Sequence, residues 1–341
     1  MRLAVNLGYQ GAAELALAAE ESDYALALAP EGYRSDAASV LGLLAGRTRR
    51  IALGSAVMQL PARPPGLTAL TAATLHALSG GRFRLGLGAS NPHVATGWYG
   101  AAYDHPVART REYLTVLRRA LTGEPVEHRG RYYPLPAGGG PAAAPLHVLT
   151  ERPGPALPIH LAALGPAMLR LAGELADGWL GVFNTPESLA EAVALLAAGR
   201  PGGDLTGFEV LPSLPTAIDP DPRAAVDRLR AHYVYMLGIG AAADNCYCQL
   251  AERLGFGPQT ALVRARLAVG DRAGAAAAVP AGFVERTALV GPVERVAERM
   301  AAYAGAGATT LGVMVTAADT DLAGRVRILR DAARAATLAA V

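Results

Sequence analysis

Leu311-Gly312-Val313-Met314-Val315 is apolar at every position, without the alternate polar residues of a strand that has one wet face. Ile51-Ala52-Leu53-Gly54 reads the same way. Strands buried on both faces belong in parallel sheets covered by helices. Outward from these two runs, β-rich segments alternate with amphipathic ones. Strands are expected at 2–7, 25–29, 51–57, 83–88, 158–163, 179–183, 208–217 and 309–315. Helices are expected at 11–22, 35–46, 65–79, 107–122, 165–177, 186–199, 221–238 and 321–338. Tyr113, Leu114, Leu117 and Leu121 form an apolar stripe on a helix otherwise rich in arginine. Pro292 opens a further helical run carrying Val296, Met300 and Tyr303 on one side, and Gly305 closes it.

Eight strand–helix units predict an α/β fold, a (β/α)8 TIM barrel, with a doubly wound open sheet as the structural rival. Two stretches interrupt the alternation. Residues 123–158 hold a candidate hairpin (Val126–Tyr133) and a Pro/Gly/Ala surface excursion (Leu135–Pro158). Residues 239–290 insert helical sequence between the seventh and eighth strands. Neither has a boundary that frees it, so 1–341 reads as one domain.

The chain has 341 residues, 52% hydrophobic and 18% charged, which excludes global disorder. All 31 basic residues are arginine, and against 29 acids they leave +2, too balanced for a nucleic-acid partner. No signal peptide and no transmembrane run is read, so a cytoplasmic location is expected, away from membranes. Cys246 and Cys248 point about 200° apart on a helix, which disfavours a disulfide, and no His or Cys stands near them at zinc spacing. No metal site is expected.

Chemistry in such a barrel gathers at the carboxyl ends of the strands. Ala163-Leu164-Gly165-Pro166 reads either as an anion site at the start of a helix or as an ordinary strand–helix turn. Gly86 and Gly88, followed by Ser90 and Asn91, allow close backbone approach to a ligand, without forming the dinucleotide fingerprint. Trp98, Tyr99, Tyr103 and His105 either wall a pocket or pack a long loop. Glu31, at a strand end, is a catalytic carboxylate or a surface ion pair; His93 is the histidine best placed for acid–base work, and His160 reads as a core residue. No nucleophile elbow, P-loop or metalloprotease motif occurs, so a cofactor is expected to carry the reaction.

The ordered series Leu53–Pro65, Leu78–Gly88, Ala108–Tyr113, Pro158–Pro166 and Leu171–Trp179, with Val279-Pro280 and Leu289–Pro292, resembles the bacterial-luciferase-like flavin and deazaflavin oxidoreductases, in particular the branch using coenzyme F420. The resemblance spans about residues 2–335. It implies a (β/α)8 barrel and a cis peptide at Ala56–Val57 behind the deazaflavin ring. It implies cofactor contacts from Ser55, Ala56, Val57, Gln59, Arg63 and Ser90, and from Ala163, Leu164, Gly165 and Pro166, with the tail toward Gly181 and Phe183. Glu31, His93 or a water held by Asn91 would supply the proton.

The resemblance further implies hydride transfer to a small organic or peptide substrate, a reduction of an activated C=C or C=N bond in secondary metabolism, and a homodimer. The sugar-phosphate branch carries a His and a Glu where this chain has Pro30-Glu31 and Gly88-Ala89, which argues against a sugar-phosphate substrate. The competing readings are an FMN-dependent monooxygenase and a non-catalytic barrel.

Overall fold

The computed structural model describes residues 1–138, 144–149 and 157–340. Among them ten strands occur: Arg2–Asn6 (β1), Leu26–Ala29 (β2), Ala52–Ser55 (β3), Met58–Gln59 (β4), Phe83–Gly88 (β5), Ile159–Ala162 (β6), Gly178–Val182 (β7), Glu209–Ile218 (β8), Leu289–Gly291 (β9) and Thr310–Met314 (β10). Each expected strand has its counterpart, and β4 and β9 are additional. The chain forms two compact units, one comprising Leu26–Leu180 with Ala194–Glu209 and the other Met1–Ala25, Gly181–Val193 and Val210–Val341.

In the first unit β2, β3, β5, β6 and β7 pair in that order, every pairing parallel, with β4 also on β5. Leu28, Leu53, Phe83, Leu85, Leu161 and Trp179 fill its core. Helices between the strands start where the chemistry favours them. Asp36 caps Ala37–Arg47 by accepting the Ser39 amide at 2.7 Å. Proline occupies the first turn of Pro65–Leu78, Pro106–Thr122 and Pro166–Leu175. The predicted stripe Tyr113, Leu114, Leu117 and Leu121 is buried, and Gly123 ends its helix at φ 80°, a conformation that suits glycine.

Side-chain bonds tie the strands to one another. Ser55 Oγ donates to the Gly86 carbonyl at 2.8 Å and accepts the Gly86 amide at 2.9 Å, joining β3 to β5. A Cβ at Gly86 would collide with the Ser55 carbonyl oxygen. Near the strand starts, Arg84 donates to Glu209 at 2.6 Å and buried His160 lies 3.3 Å from the same carboxylate. The expected hairpin over Val126–Tyr133 reduces to one antiparallel bridge, His128 with Leu135. Of the excursion after it, residues 139–143 and 150–156 lie outside the described residues.

In the second unit β10 pairs in parallel with β1 and β8, and β8 with β9. Val296, Met300 and Tyr303 are buried from the helix Val293–Gly305, and Tyr24 donates to the Leu329 carbonyl at 2.9 Å. The insertion is helical over Cys246–Arg253, Gly257–Ala268, Arg272–Ala278 and Ala281–Thr287. Cys246 and Cys248 are free thiols. Phe183, at φ 53°, is buried against Tyr233 and Tyr247, with ring centroids 5.1 and 4.9 Å away.

Candidate active site

The residues expected to act lie mostly in the first unit, at the carboxyl ends of β2, β3, β5 and β6. The Ala56–Val57 peptide is cis, as the resemblance implied. Two residues on, Gln59 becomes the centre of a hydrogen-bond chain. Its amide donates to Glu31 Oε1 at 3.2 Å, its side-chain Nε2 donates to the Glu31 carbonyl at 2.8 Å, and its Oε1 accepts the Ser90 hydroxyl at 2.6 Å. Ser90 holds a left-handed φ of 68°, and Tyr103 donates to its carbonyl at 3.1 Å. That conformation is uncommon outside glycine and persists where surrounding bonds hold it.

Glu31 is committed to a charged fork. Arg63 donates to both carboxylate oxygens through Nε, at 3.2 and 3.1 Å, and to one of them through Nη2 at 2.8 Å. The same Nη2 reaches Asp36 at 2.5 Å. Only 5% of the Glu31 side chain is exposed. The bond from Glu31 holds the Arg63 guanidinium above its usual range, against burial. For Asp36, burial acts to raise the pKa, but the Ser39 bonds and Arg63 bring it below the ordinary carboxylate value.

The other expected acid–base residues are placed differently. Asn91 Oδ1 accepts the Val94 amide at 3.0 Å and so caps the short helix Pro92–Gly97. His93 is exposed on that helix. Glu31 is thus joined to Ser90 through Gln59, while Asn91 and His93 belong to the helix that follows.

Beyond β6, the Ala163 carbonyl accepts the buried Trp179 indole N–H at 2.9 Å. Leu164, Gly165 and Pro166 are exposed, and no side chain caps the helix they open. Its first-turn amides therefore carry the partial positive charge that an anion or a ligand carbonyl seeks. A Cβ at Gly165 would meet nothing within 4 Å, whereas one at Gly88 would lie 2.7 Å from Val57 Cγ2. Gly181 and Phe183 fall in the other unit, where the Phe183 side chain is consumed by packing.

Sequence reasoning missed the partners of Arg63 and the ion pair of Arg109 with Asp104, 2.6 Å apart. Arg109 closes an i,i+5 spacing across a helix start, which no periodicity advertises; Arg63 and Glu31 come from different loops. Among the described residues no group of three or more His, Cys, Asp or Glu side chains is arranged to hold a metal ion.

Residues 3–310 match the luciferase-like monooxygenase family. A Mycobacterium tuberculosis protein that bears the name coenzyme F420-dependent oxidoreductase is 36% identical over 341 residues, covering 94% of this chain and 96% of that one. The 5,10-methylenetetrahydromethanopterin reductase of Archaeoglobus fulgidus is 28% identical over 273 residues, covering 80% of this chain and 79% of its own. Among solved structures, the coenzyme F420-dependent tetrahydromethanopterin reductase of Methanopyrus kandleri superposes with a TM-score of 0.81 at 23% identity, covering 98% of this chain and 97% of that one. An F420-dependent secondary alcohol dehydrogenase gives 0.77 at 17% identity and covers 98% of both chains. The shared fold is the (β/α)8 TIM barrel that the strand alternation predicted. With the family match spanning residues 3–310 and 36% identity to a relative over 94% of the chain, the chain belongs to the luciferase-like monooxygenase family.

Proposed function

We propose that this chain is a coenzyme F420-dependent oxidoreductase that reduces an activated C=C or C=N bond of a small organic or peptide substrate. The observation that carries the reading is the similarity, over 94% of the chain, to a relative named for F420. The site's own surfaces are consistent with such a cofactor. The exposed, uncapped turn Leu164–Pro166 offers backbone N–H groups to a planar heterocycle or its phosphate. Val57 and Ala162 pack against the side-chain-free face of Gly88, and Ser90 and Gln59, two residues beyond Gly88 and Val57 in sequence, are bonded to each other.

A bound 5-deazaflavin supplies hydride, two electrons and one hydrogen, because carbon replaces the flavin N5. The chain supplies alignment and a proton, so that hydride on one end of the double bond is balanced by H⁺ on the other. With its carboxylate forked to Arg63, Glu31 holds the loop from Gln59 to Arg63 in place. His93, exposed beside the Asn91 cap, is then the side-chain acid, and water is the alternative source.

The protein acts as a cytoplasmic homodimer in this reading. Leu43, Leu67, Leu70 and Leu78 stand exposed on the helices Ala37–Arg47 and Pro65–Leu78 and form an apolar face suited to a second copy. Sedimentation as a monomer at micromolar concentration overturns the dimer. For the activity, the protein is mixed with reduced F420 and a panel of enones and imines, and recovery of the oxidised chromophore's absorbance is followed. Turnover supports the reading. Tight FMN binding with none for F420 replaces it with the monooxygenase, and binding of neither cofactor leaves a non-catalytic barrel.

A further inference from the structure

The first unit contains a cavity of about 370 Å³, within the range of small-molecule sites. Pro61, Pro64, Pro65 and Pro106 give it rigid walls that lose little freedom when a ligand enters. Leu60 and the methyl groups of Ala89, Ala101 and Ala102 make the lining apolar. The cavity adjoins the hydrogen-bond chain already described: Ala89 precedes Ser90, and Tyr103, another wall residue, holds the Ser90 carbonyl.

Three charged residues line it, and each is already neutralised. Arg63 is forked to Glu31 and also reaches Asp36. Arg109 and Asp104 pair with each other, Nε and Nη2 donating to one carboxylate oxygen at 3.1 and 2.6 Å. Arg109 also lies 4.5 Å from the centre of the Tyr132 ring. A polyanion entering such a cavity would lose hydration without finding an unpaired cation. An uncharged apolar group loses nothing and gains burial.

We infer that this cavity binds an uncharged, apolar arm of the substrate, aromatic or branched aliphatic, and so selects neutral lipophilic acceptors over phosphorylated or polycarboxylate ones. The word acceptor rests on the oxidoreductase reading; the binding preference does not. The test therefore uses the full chain without cofactor and titrates three naphthalenes by calorimetry: the neutral 2-acetylnaphthalene, 2-naphthoate, and the 2,6-dicarboxylate dianion. The neutral ketone is expected to bind, with the dianion weaker by at least about tenfold.

Ala102 is exposed at the cavity, so Ala102→Trp fills the space without disturbing the core, as an unchanged circular dichroism spectrum verifies. It is expected to weaken the ketone by at least about tenfold while leaving F420 fluorescence titrations unchanged; Ala102→Leu, a smaller filling, serves as the second variant. No binding of the ketone, equal or tighter binding of the dianion, or indifference to both variants overturns the inference. Ketone binding in a protein that fails to bind F420 leaves the cavity's preference standing and removes only the oxidoreductase reading.

Discussion

Ser90 donates its hydroxyl proton to Gln59 Oε1 across 2.6 Å, linking the end of β5 to the end of β4. The bond orients both residues. With its proton spent on Gln59, the serine oxygen has only lone pairs left to present. The Gln59 amide is itself fixed from its nitrogen end by the Glu31 carbonyl. A ligand edge at Ser90 is therefore met by an acceptor, which favours an N–H or O–H on the bound molecule.

The first prediction follows from that polarity. Ser90→Ala should weaken F420 by about tenfold, the scale of one charge-free hydrogen bond lost with its partner left bare. Gln59→Leu should weaken it further, because Glu31 and Ser90 both lose a bond. Fluorescence titration of the deazaflavin measures both; equal affinities in all three proteins would detach this chain from cofactor binding.

Glu31→Gln tests positioning against acid catalysis. Removing the carboxylate leaves a poorly exposed Arg63 with only Asp36 as counter-charge. Stability in urea should fall by about 2–3 kcal/mol, somewhat below the cost of stripping a fully buried charge. The double change Glu31→Gln with Arg63→Gln should recover part of that loss. Turnover by the folded fraction should change less than tenfold, whereas loss of a true proton donor costs about 10²-fold or more.

The join between β3 and β5 makes a sharper prediction. Gly86→Ala places a methyl group into the Ser55 carbonyl oxygen, which is backbone and cannot rotate away. The variant should accumulate as insoluble protein. Ser55→Ala should fold but lose about 1–3 kcal/mol, since it strips partners from two buried backbone groups of Gly86. Chemical denaturation of the soluble variant checks the second value.

Acid should loosen one loop through a single carboxylate. Burial acts to raise the pKa of Glu112, but three backbone amides, those of Tyr132, Arg131 and Tyr133 at 2.8, 3.0 and 3.2 Å, hold it below the ordinary carboxylate range. A carboxyl depressed in the folded state contributes stability in full above its unfolded value, about 4.3, and loses it as pH falls through the folded value. Glu112→Gln should thus destabilise at pH 7 by about 1–2 kcal/mol and draw level with the parent once acid has protonated the folded carboxyl. Amide hydrogen exchange of residues 131–133 reads the same window.

The strands were legible because their apolar character on both faces is a local signal. β4 and β9 were not, since two and three residues are too few for any period to show. β9 also follows directly on the helical insertion, two residues after the helix Ala281–Thr287 ends. The candidate hairpin over Val126–Tyr133 has no apolar alternation to hold a strand, and it is reduced to one bridge, His128 with Leu135.

At the site, the cis peptide came from a resemblance, the turn after β6 showed in its own Gly165-Pro166 helix start, and the roles of Glu31 and Asn91 depended on the partners their side chains find. Glu31 reads as a lone strand-end acid until Arg63, 32 residues away, folds onto it. Asn91 reads as a ligand group until Val94 takes its oxygen for a helix cap.

The indole of Trp179, bonded to the Ala163 carbonyl and 1% exposed, has a counterpart in Trp98, which is 63% exposed. The chain has no other tryptophan. Its emission therefore divides into a blue, iodide-resistant component and a red, quenchable one. The blue component originates next to the Leu164–Pro166 turn, so the protein carries its own optical gauge of that turn, readable without a label.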